Sequence, residues 1–173
     1  MDEKTLNSLK NIRLFLSDVD GVMTDATVRQ SPNGDWIRVF NVYDGMGLIR
    51  LMKAGIPVGI ITASDANDVR ARFKYLKVDY FRDKSFDKLA VLKEMSSELN
   101  LSLDQVCYIG DDLFDQPAIE ACGFGVTVPH ALEPIKKASD YITQSHGGHG
   151  AVREVCEMIL NAQSLVHHNI SND

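Results

Sequence analysis

Apolar residues fall into two kinds of run along the chain. Short β-rich runs at Arg13–Ser17, Val58–Ile61, Asp79–Phe81, Val106–Ile109 and Gly125–Val128, with a further one at Tyr141–Thr143, read as strands. Between them Gly47–Ala54, Ala66–Leu76, Phe86–Leu99 and Asp115–Ala121 carry helical patterns. The last helix is the clearest: Ala151, Val152, Val155, Cys156, Ile159 and Leu160 recur on a 3.6-residue period and make one apolar stripe. Strand–helix alternation of this kind predicts a doubly wound, three-layer α/β/α, Rossmann-like parallel sheet. Residues 1–165 are expected to form one domain, and 166–173, which lack periodicity, a frayed tail.

Thr27–Val42 breaks the rhythm. Two β-prone stretches flank Ser31-Pro-Asn-Gly-Asp35, and Asn-Gly between such stretches signals a hairpin. A β-hairpin flap is therefore expected at about 25–42, after the first strand. Hairpins are marginal alone. This one carries Trp36, Ile37, Val39 and Phe40, so it should cover either its own core or a second subunit.

Polar residues at the ends of the apolar runs carry the chemistry. The first run ends in Asp18-Val-Asp20-Gly21. Residues i and i+2 of a strand share a face, so both carboxylates leave the sheet edge into one crevice. Their repulsion is tolerable if a cation or a shared proton lies between them. Thr62 ends the second buried run, where a helix cap is the simplest alternative. Lys88 opens a helix, against the macrodipole, which suggests a nearby anion. Gly110-Asp111-Asp112 ends another run, and Asp115 starts the next helix or caps it. All four places lie at carboxyl ends of expected parallel strands or in the turns after them. Two carboxylate clusters, a hydroxyl and a lysine suit phosphoryl transfer through Mg²⁺ and an aspartyl-phosphate. In that chemistry Asp18 attacks phosphorus and Asp20 is acid and then base, while Thr62 and Lys88 hold phosphoryl oxygens. Asp18, Asp111 and the main-chain carbonyl of Asp20 would hold Mg²⁺, with Asp112 and Asp115 orienting that shell.

Composition narrows the partners. With 173 residues, 45% hydrophobic and 24% charged, the chain reads as a soluble globular protein. A net charge of -6 without a basic run argues against a nucleic-acid partner, and no apolar run approaches the ~18 residues of a membrane span. An anionic substrate stays open, because a divalent metal inverts the local field. Cys107, Cys122 and Cys156 have no metal-ligand spacing and read as reduced thiols of a cytoplasmic protein. The start Met-Asp-Glu-Lys lacks the pattern of a secretory signal.

The order Asp18-x-Asp20, Thr62, Lys88, Gly110-Asp111-Asp112 resembles the four motifs of the haloacid dehalogenase (HAD) superfamily of phosphatases over nearly the whole chain. Asp18-Val-Asp-Gly-Val-Met-Thr-Asp25, Phe40-Asn-Val-Tyr-Asp-Gly-Met-Gly47, Tyr108-Ile-Gly-Asp-Asp-Leu-Phe-Asp-Gln-Pro117 and Gly147-Gly-His-Gly-Ala-Val-Arg-Glu-Val155 resemble its 3-deoxy-D-manno-octulosonate 8-phosphate phosphatase family. The nonulosonate (sialic-acid-type) 9-phosphate phosphatases share much of this pattern. The resemblance implies an aspartate nucleophile, an aspartate acid/base, Mg²⁺, a sugar-acid phosphate of lipopolysaccharide precursor synthesis, and a homotetramer built through the hairpins. About forty residues separate Asp20 from Thr62, and about twenty-five separate Thr62 from Lys88. The expected elements fill both gaps, which leaves no room for a cap domain. A neighbouring subunit would then close the site.

Candidate substrate contacts are Thr62, Lys88, Asp44, Gly45 and His149. Asp44 and Gly45 open a helix whose free N–H groups should face the substrate. Gly147–Gly150 is either a lead into the last helix or a segment that closes over substrate. Two positions depart from the family: Ala63-Ser64 stand where Gly-Arg is usual, and His149 where Arg is common. Each departure removes a guanidinium able to grip a carboxylate in two places. Two other classes use some of these features. A receiver-like phospho-Asp signalling module has similar groups but places its lysine last in the chain. An inactive scaffold would need none of them.

Overall fold

A computed structural model describes residues 2–165. Six parallel strands form one sheet in the order β5-β4-β1-β6-β7-β8. They are β1 (Leu14–Ser17), β4 (Val58–Ile61), β5 (Tyr80–Arg82), β6 (Val106–Ile109), β7 (Phe124–Thr127) and β8 (Tyr141–Ile142). Every residue of β1, β4, β6 and β7 is buried, which explains their near-continuous apolar runs. The helices form two packed groups. One is α1 (Glu3–Asn11), α2 (Val42–Lys53) and α7 (Ala151–Ala162). The other is α4 (Lys88–Glu98), α5 (Gln116–Ala121) and α6 (Glu133–Ala138), while α3 (Asn67–Leu76) touches α2. The whole apolar stripe of α7 is buried, as its periodicity requires.

β1 is central, with Phe15 opposite Val58 on one side and Cys107 on the other. The chain runs outward from β1 through β4 to β5, then returns through β6 to β8. The carboxyl ends of β4, β1 and β6 therefore meet at the switch point where such sheets bind ligands. The Asp18 N–H donates to the Ile109 carbonyl at 3.0 Å, extending the ladder to the first motif residue.

Two helices were not apparent in the periodicity. α1 buries only Leu9 and is held by Asp2, whose carboxylate accepts from Thr5 N–H at 2.7 Å. α6 is short and has proline in its first turn, a residue that also reads as a turn. α2 starts at Val42, not Gly47, because the Asn41 side chain accepts from Tyr43 N–H at 2.7 Å and caps the helix earlier. The expected tail at 166–173 lies outside the described residues.

The hairpin consists of β2 (Arg29–Gln30) and β3 (Trp36–Ile37), with Gln30 opposite Trp36. Gly34 takes φ +89° in its turn, as the Asn-Gly pair required. What the hairpin covers divides by residue. Phe40 packs edge-on against Phe73 of α3, ring centroids 5.9 Å apart, and so covers its own core. Trp36 is 55% exposed, and Val28, Ile37 and Val39 are exposed beside it.

Candidate active site

The four motif segments meet in one cavity of about 260 Å³. Asp18, Asp20, Thr62, Lys88, Asp111, Asp112 and Asp115 line it, with Ala26, Ala63, Ser64 and Phe114. A larger groove of about 570 Å³ between the hairpin and the start of α3 holds none of those seven groups.

Lys88, the first residue of α4, is buried and reaches across the end of β4. Its Nζ lies 2.5 Å from Asp18 Oδ1 and donates to the Ile61 carbonyl at 2.8 Å. The anion expected from its place at a helix start is thus Asp18. Thr62 directly follows β4 and is buried. Its Oγ accepts from Ser64 N–H at 3.0 Å, while α3 has Ala66 at its cap, so Thr62 is not a helix cap. Asp115 precedes α5 but makes no forward capping bond. Its Oδ2 instead accepts from the N–H groups of Asp111 and Asp112, both at 3.1 Å, and its Oδ1 accepts from the Tyr108 hydroxyl at 2.5 Å. This buried carboxylate folds the Gly110–Asp115 loop so that Asp111 turns back toward Asp18. Gly21 has φ +83°, and any Cβ there would collide with the Asp111 carboxylate. The two acidic turns can approach only because this position has no side chain.

Asp18, Asp111 and Asp115 each offer a carboxylate oxygen, all within 4.8 Å of one another. Burial, and then the Asp115 charge, push the Asp18 carboxyl up to about 7 against the pull of Lys88. Burial, and then Asp18, raise Asp111 to about 8. One lysine does not neutralise three carboxylates. An all-oxygen donor set with surplus negative charge fits a hard divalent cation. The Asp20 carboxylate is outside this group.

A family model for haloacid dehalogenase-like hydrolases matches residues 80–155. The 3-deoxy-D-manno-octulosonate 8-phosphate phosphatase KdsC of Haemophilus influenzae is 37% identical over 155 residues, covering 90% of this chain and 86% of the relative. The Yersinia pestis KdsC is 40% identical over 153 residues, 88% of this chain and 82% of the relative. The chain belongs to the haloacid dehalogenase-like hydrolases. This hydrolase is a phosphatase. Its fold matches the crystal structure of the Moraxella catarrhalis 3-deoxy-D-manno-octulosonate 8-phosphate phosphatase in complex with a magnesium ion, a phosphate ion and a KDO molecule. The TM-score is 0.92 at 40% identity, over 95% of this chain and 94% of that one. The cobalt-bound form of the Haemophilus influenzae enzyme matches with TM-score 0.87 at 37% identity, over 91% of this chain and 92% of that one.

Three expected substrate contacts of the phosphatase lie elsewhere. Asp44 is fully buried and caps α7, accepting from Gly150 N–H at 3.2 Å and Arg153 N–H at 2.8 Å. Burial raises its carboxyl, and those N–H bonds oppose the rise. Gly45 is also buried and faces Arg72, where a Cβ would meet the guanidinium. Both residues pack against neighbouring helices and neither lines the cavity. His149 is outside the cavity lining, with Nδ1 2.9 Å from the Gly147 carbonyl. The glycines before it pack closely: Gly148 N–H donates to the Val22 carbonyl at 2.9 Å, and Gly147 is seated against Gly21. The 147–150 stretch thus braces the loop after Asp18.

Sequence reasoning missed two residues of the hydrolase's site. Tyr108 stands in a strand and in a family motif without a role for its hydroxyl, although a tyrosine in a buried run needs a partner for it. Arg38 was read only as hairpin. Its Nε lies 2.5 Å from Asp20 Oδ1, and its Nη2 lies 3.1 Å from both Asp20 Oδ2 and Ser64 Oγ.

Proposed function

We propose that this phosphatase hydrolyses 3-deoxy-D-manno-octulosonate 8-phosphate to the free sugar acid and phosphate, with Mg²⁺ and through a phosphate ester of Asp18. The observation that carries the reaction class is the convergence of Asp18, Lys88, Thr62 and Asp111 on one cavity at the strand ends. The relatives named for that substrate, and the magnesium, phosphate and KDO in the Moraxella catarrhalis structure, support the substrate and the ion.

Asp18 attacks phosphorus in line, forming the acyl phosphate as the sugar P–O bond breaks. Lys88 pairs with Oδ1 of this carboxylate and holds it at the mouth of the strand ends. Asp20 gives the departing sugar oxygen its proton, then takes one from the water that attacks the acyl phosphate. Phosphate leaves and the Asp18 carboxylate is restored. Thr62, through Oγ–H, and Lys88 hold phosphoryl oxygens as charge redistributes. The side chains of Asp18 and Asp111, with the Asp20 carbonyl, would hold Mg²⁺, and Asp112 and Asp115 orient that shell. The ion neutralises the carboxylate cluster and the incoming phosphate together.

The exposed Val28, Trp36, Ile37 and Val39 support a homo-oligomer, with a tetramer as the family-based expectation. The free thiols support a cytoplasmic enzyme, and no described helix is long and apolar enough to cross a membrane. Residues 1–165 act as one catalytic unit in this reading. Membership of a hydrolase family displaces the receiver-like alternative.

A nine-carbon acid phosphate is the second reading, favoured by Ala63-Ser64 at the cavity wall where the octulosonate enzymes usually carry Gly-Arg. Phosphate release across eight- and nine-carbon 2-keto-3-deoxy sugar phosphates, with hexose phosphates as controls, separates the two. Preference for the eight-carbon substrate supports the assignment. Preference for the nine-carbon one supports the second reading, and equal turnover of hexose phosphates overturns both substrates but leaves the reaction class.

A further inference from the structure

Arg38 joins three segments distant in sequence. It leaves the end of the hairpin, and its side chain is only 8% exposed. Its guanidinium takes both Asp20 oxygens, Nε to Oδ1 at 2.5 Å and Nη2 to Oδ2 at 3.1 Å. From the other side Asp68, in the first turn of α3, accepts from Arg38 Nη1 at 3.1 Å and from the Arg38 main-chain N–H at 2.8 Å. Asp20 lines the cavity and Arg38 does not. The guanidinium therefore grips Asp20 from behind, and substrate contact is not its role. A paired fork of this kind fixes the plane and rotation of a carboxylate, which a single point charge does not.

We infer that Arg38 is the positioning residue for Asp20, aiming its carboxylate at the sugar oxygen that leaves phosphorus, with Asp68 holding Arg38 in place. The inference rests on the acid/base role proposed for Asp20. It gives the hairpin a part in the reaction, because the flap supplies the clamp on the proton carrier. Small misplacements of such a group are costly, since proton transfer needs hydrogen-bond reach.

The test compares a sugar phosphate substrate with p-nitrophenyl phosphate, in Mg²⁺, using wild type, Arg38→Gln, Arg38→Lys and Asp68→Asn. A sugar alkoxide needs a proton to leave, whereas p-nitrophenolate does not. For Arg38→Gln the expected result is a loss of about 10²-fold in kcat on the sugar phosphate, with KM within about threefold. The first turnover of p-nitrophenyl phosphate, read by stopped flow, should lose clearly less. Arg38→Lys should recover only part of the loss, and Asp68→Asn should show a smaller loss with the same leaving-group dependence. Equal losses on both substrates, a raised KM at unchanged kcat, or full recovery by lysine overturns the inference. If Arg38→Gln fails to fold, as judged by its melting curve, the lysine and Asp68 variants decide by the same criteria. Failure of the underlying reading is distinct: it appears as an Asp20→Asn variant whose losses on the sugar phosphate and on the first turnover of p-nitrophenyl phosphate are equal.

Discussion

The carboxylate cluster and the hairpin are close in space and built on opposite terms. The cluster hangs from buried parallel strands, its backbone held by ladder bonds and its loop folded by Asp115. Two paired residues per strand hold the hairpin, and its apolar side chains Trp36 and Ile37 face outward. The first arrangement fixes charges against their repulsion. The second leaves a surface to be covered and sends one buried cation, Arg38, back into the site. A rigid core thus sets what reaction is possible, and a lightly held flap aims one of the reacting groups.

The largest expected effect tests the cluster. Asp18→Asn should lower phosphate release by about 10⁴-fold or more, measured at saturating substrate with Mg²⁺, since removal of a nucleophile removes the pathway. Undiminished turnover would leave the cluster without its proposed role. Tyr108→Phe asks how far the buried frame matters. It deprives the buried Asp115 Oδ1 of its hydroxyl donor and should cost about 1–3 kcal/mol in a urea unfolding experiment.

Metal and pH sharpen the contrast further. Burial and neighbouring charge raise the folded-state values of Asp18 and Asp111 to about 7 and about 8, from 3.8 for an ordinary aspartate. Both bind protons more tightly when folded, so without metal their contribution favours the fold at low pH and is lost as pH rises from about 4 through 8. In the proposed site Mg²⁺ would bind the ionised cluster. The melting-temperature gain from Mg²⁺ should therefore be small at pH 5 and grow toward pH 8, and a gain independent of pH would contradict the cluster as its site. The smallest effect on a single chain belongs to the hairpin. Ile37→Ser should change protomer stability by no more than about 0.5 kcal/mol, while sedimentation shows weaker self-association. Unaltered assembly would remove the hairpin from the interface.

The two regions also differed in how much of them could be read. Asp18, Thr62 and Asp111 were legible because each sits at or just beyond an apolar run, so local pattern alone placed them at one sheet edge. Lys88 was readable through its unfavourable place at a helix start. Arg38 was not, because its partners Asp20 and Asp68 lie far from it in sequence and no local rule pairs them. Asp44 was misread for the same reason: its partners, the N–H groups of Gly150 and Arg153, lie 106 and 109 residues away, and no local rule pairs them. The parallel order of the sheet followed from alternation, whereas α1 and α6 bury too little to leave a strong periodicity.

The central place of β1 has a consequence for synthesis. The strand leading to the proposed nucleophile is synthesised before both of its partners, the segments around Val58 and Val106. At typical translation rates the interval to the second partner is on the order of ten seconds. Throughout it, Leu14-Phe-Leu16 presents an apolar ribbon with an open edge, the kind of segment that chaperones bind and that aggregates when left alone. Asp18 and Asp20 place two charges at the end of that ribbon, the pattern by which sequences limit aggregation beside unavoidable apolar strands.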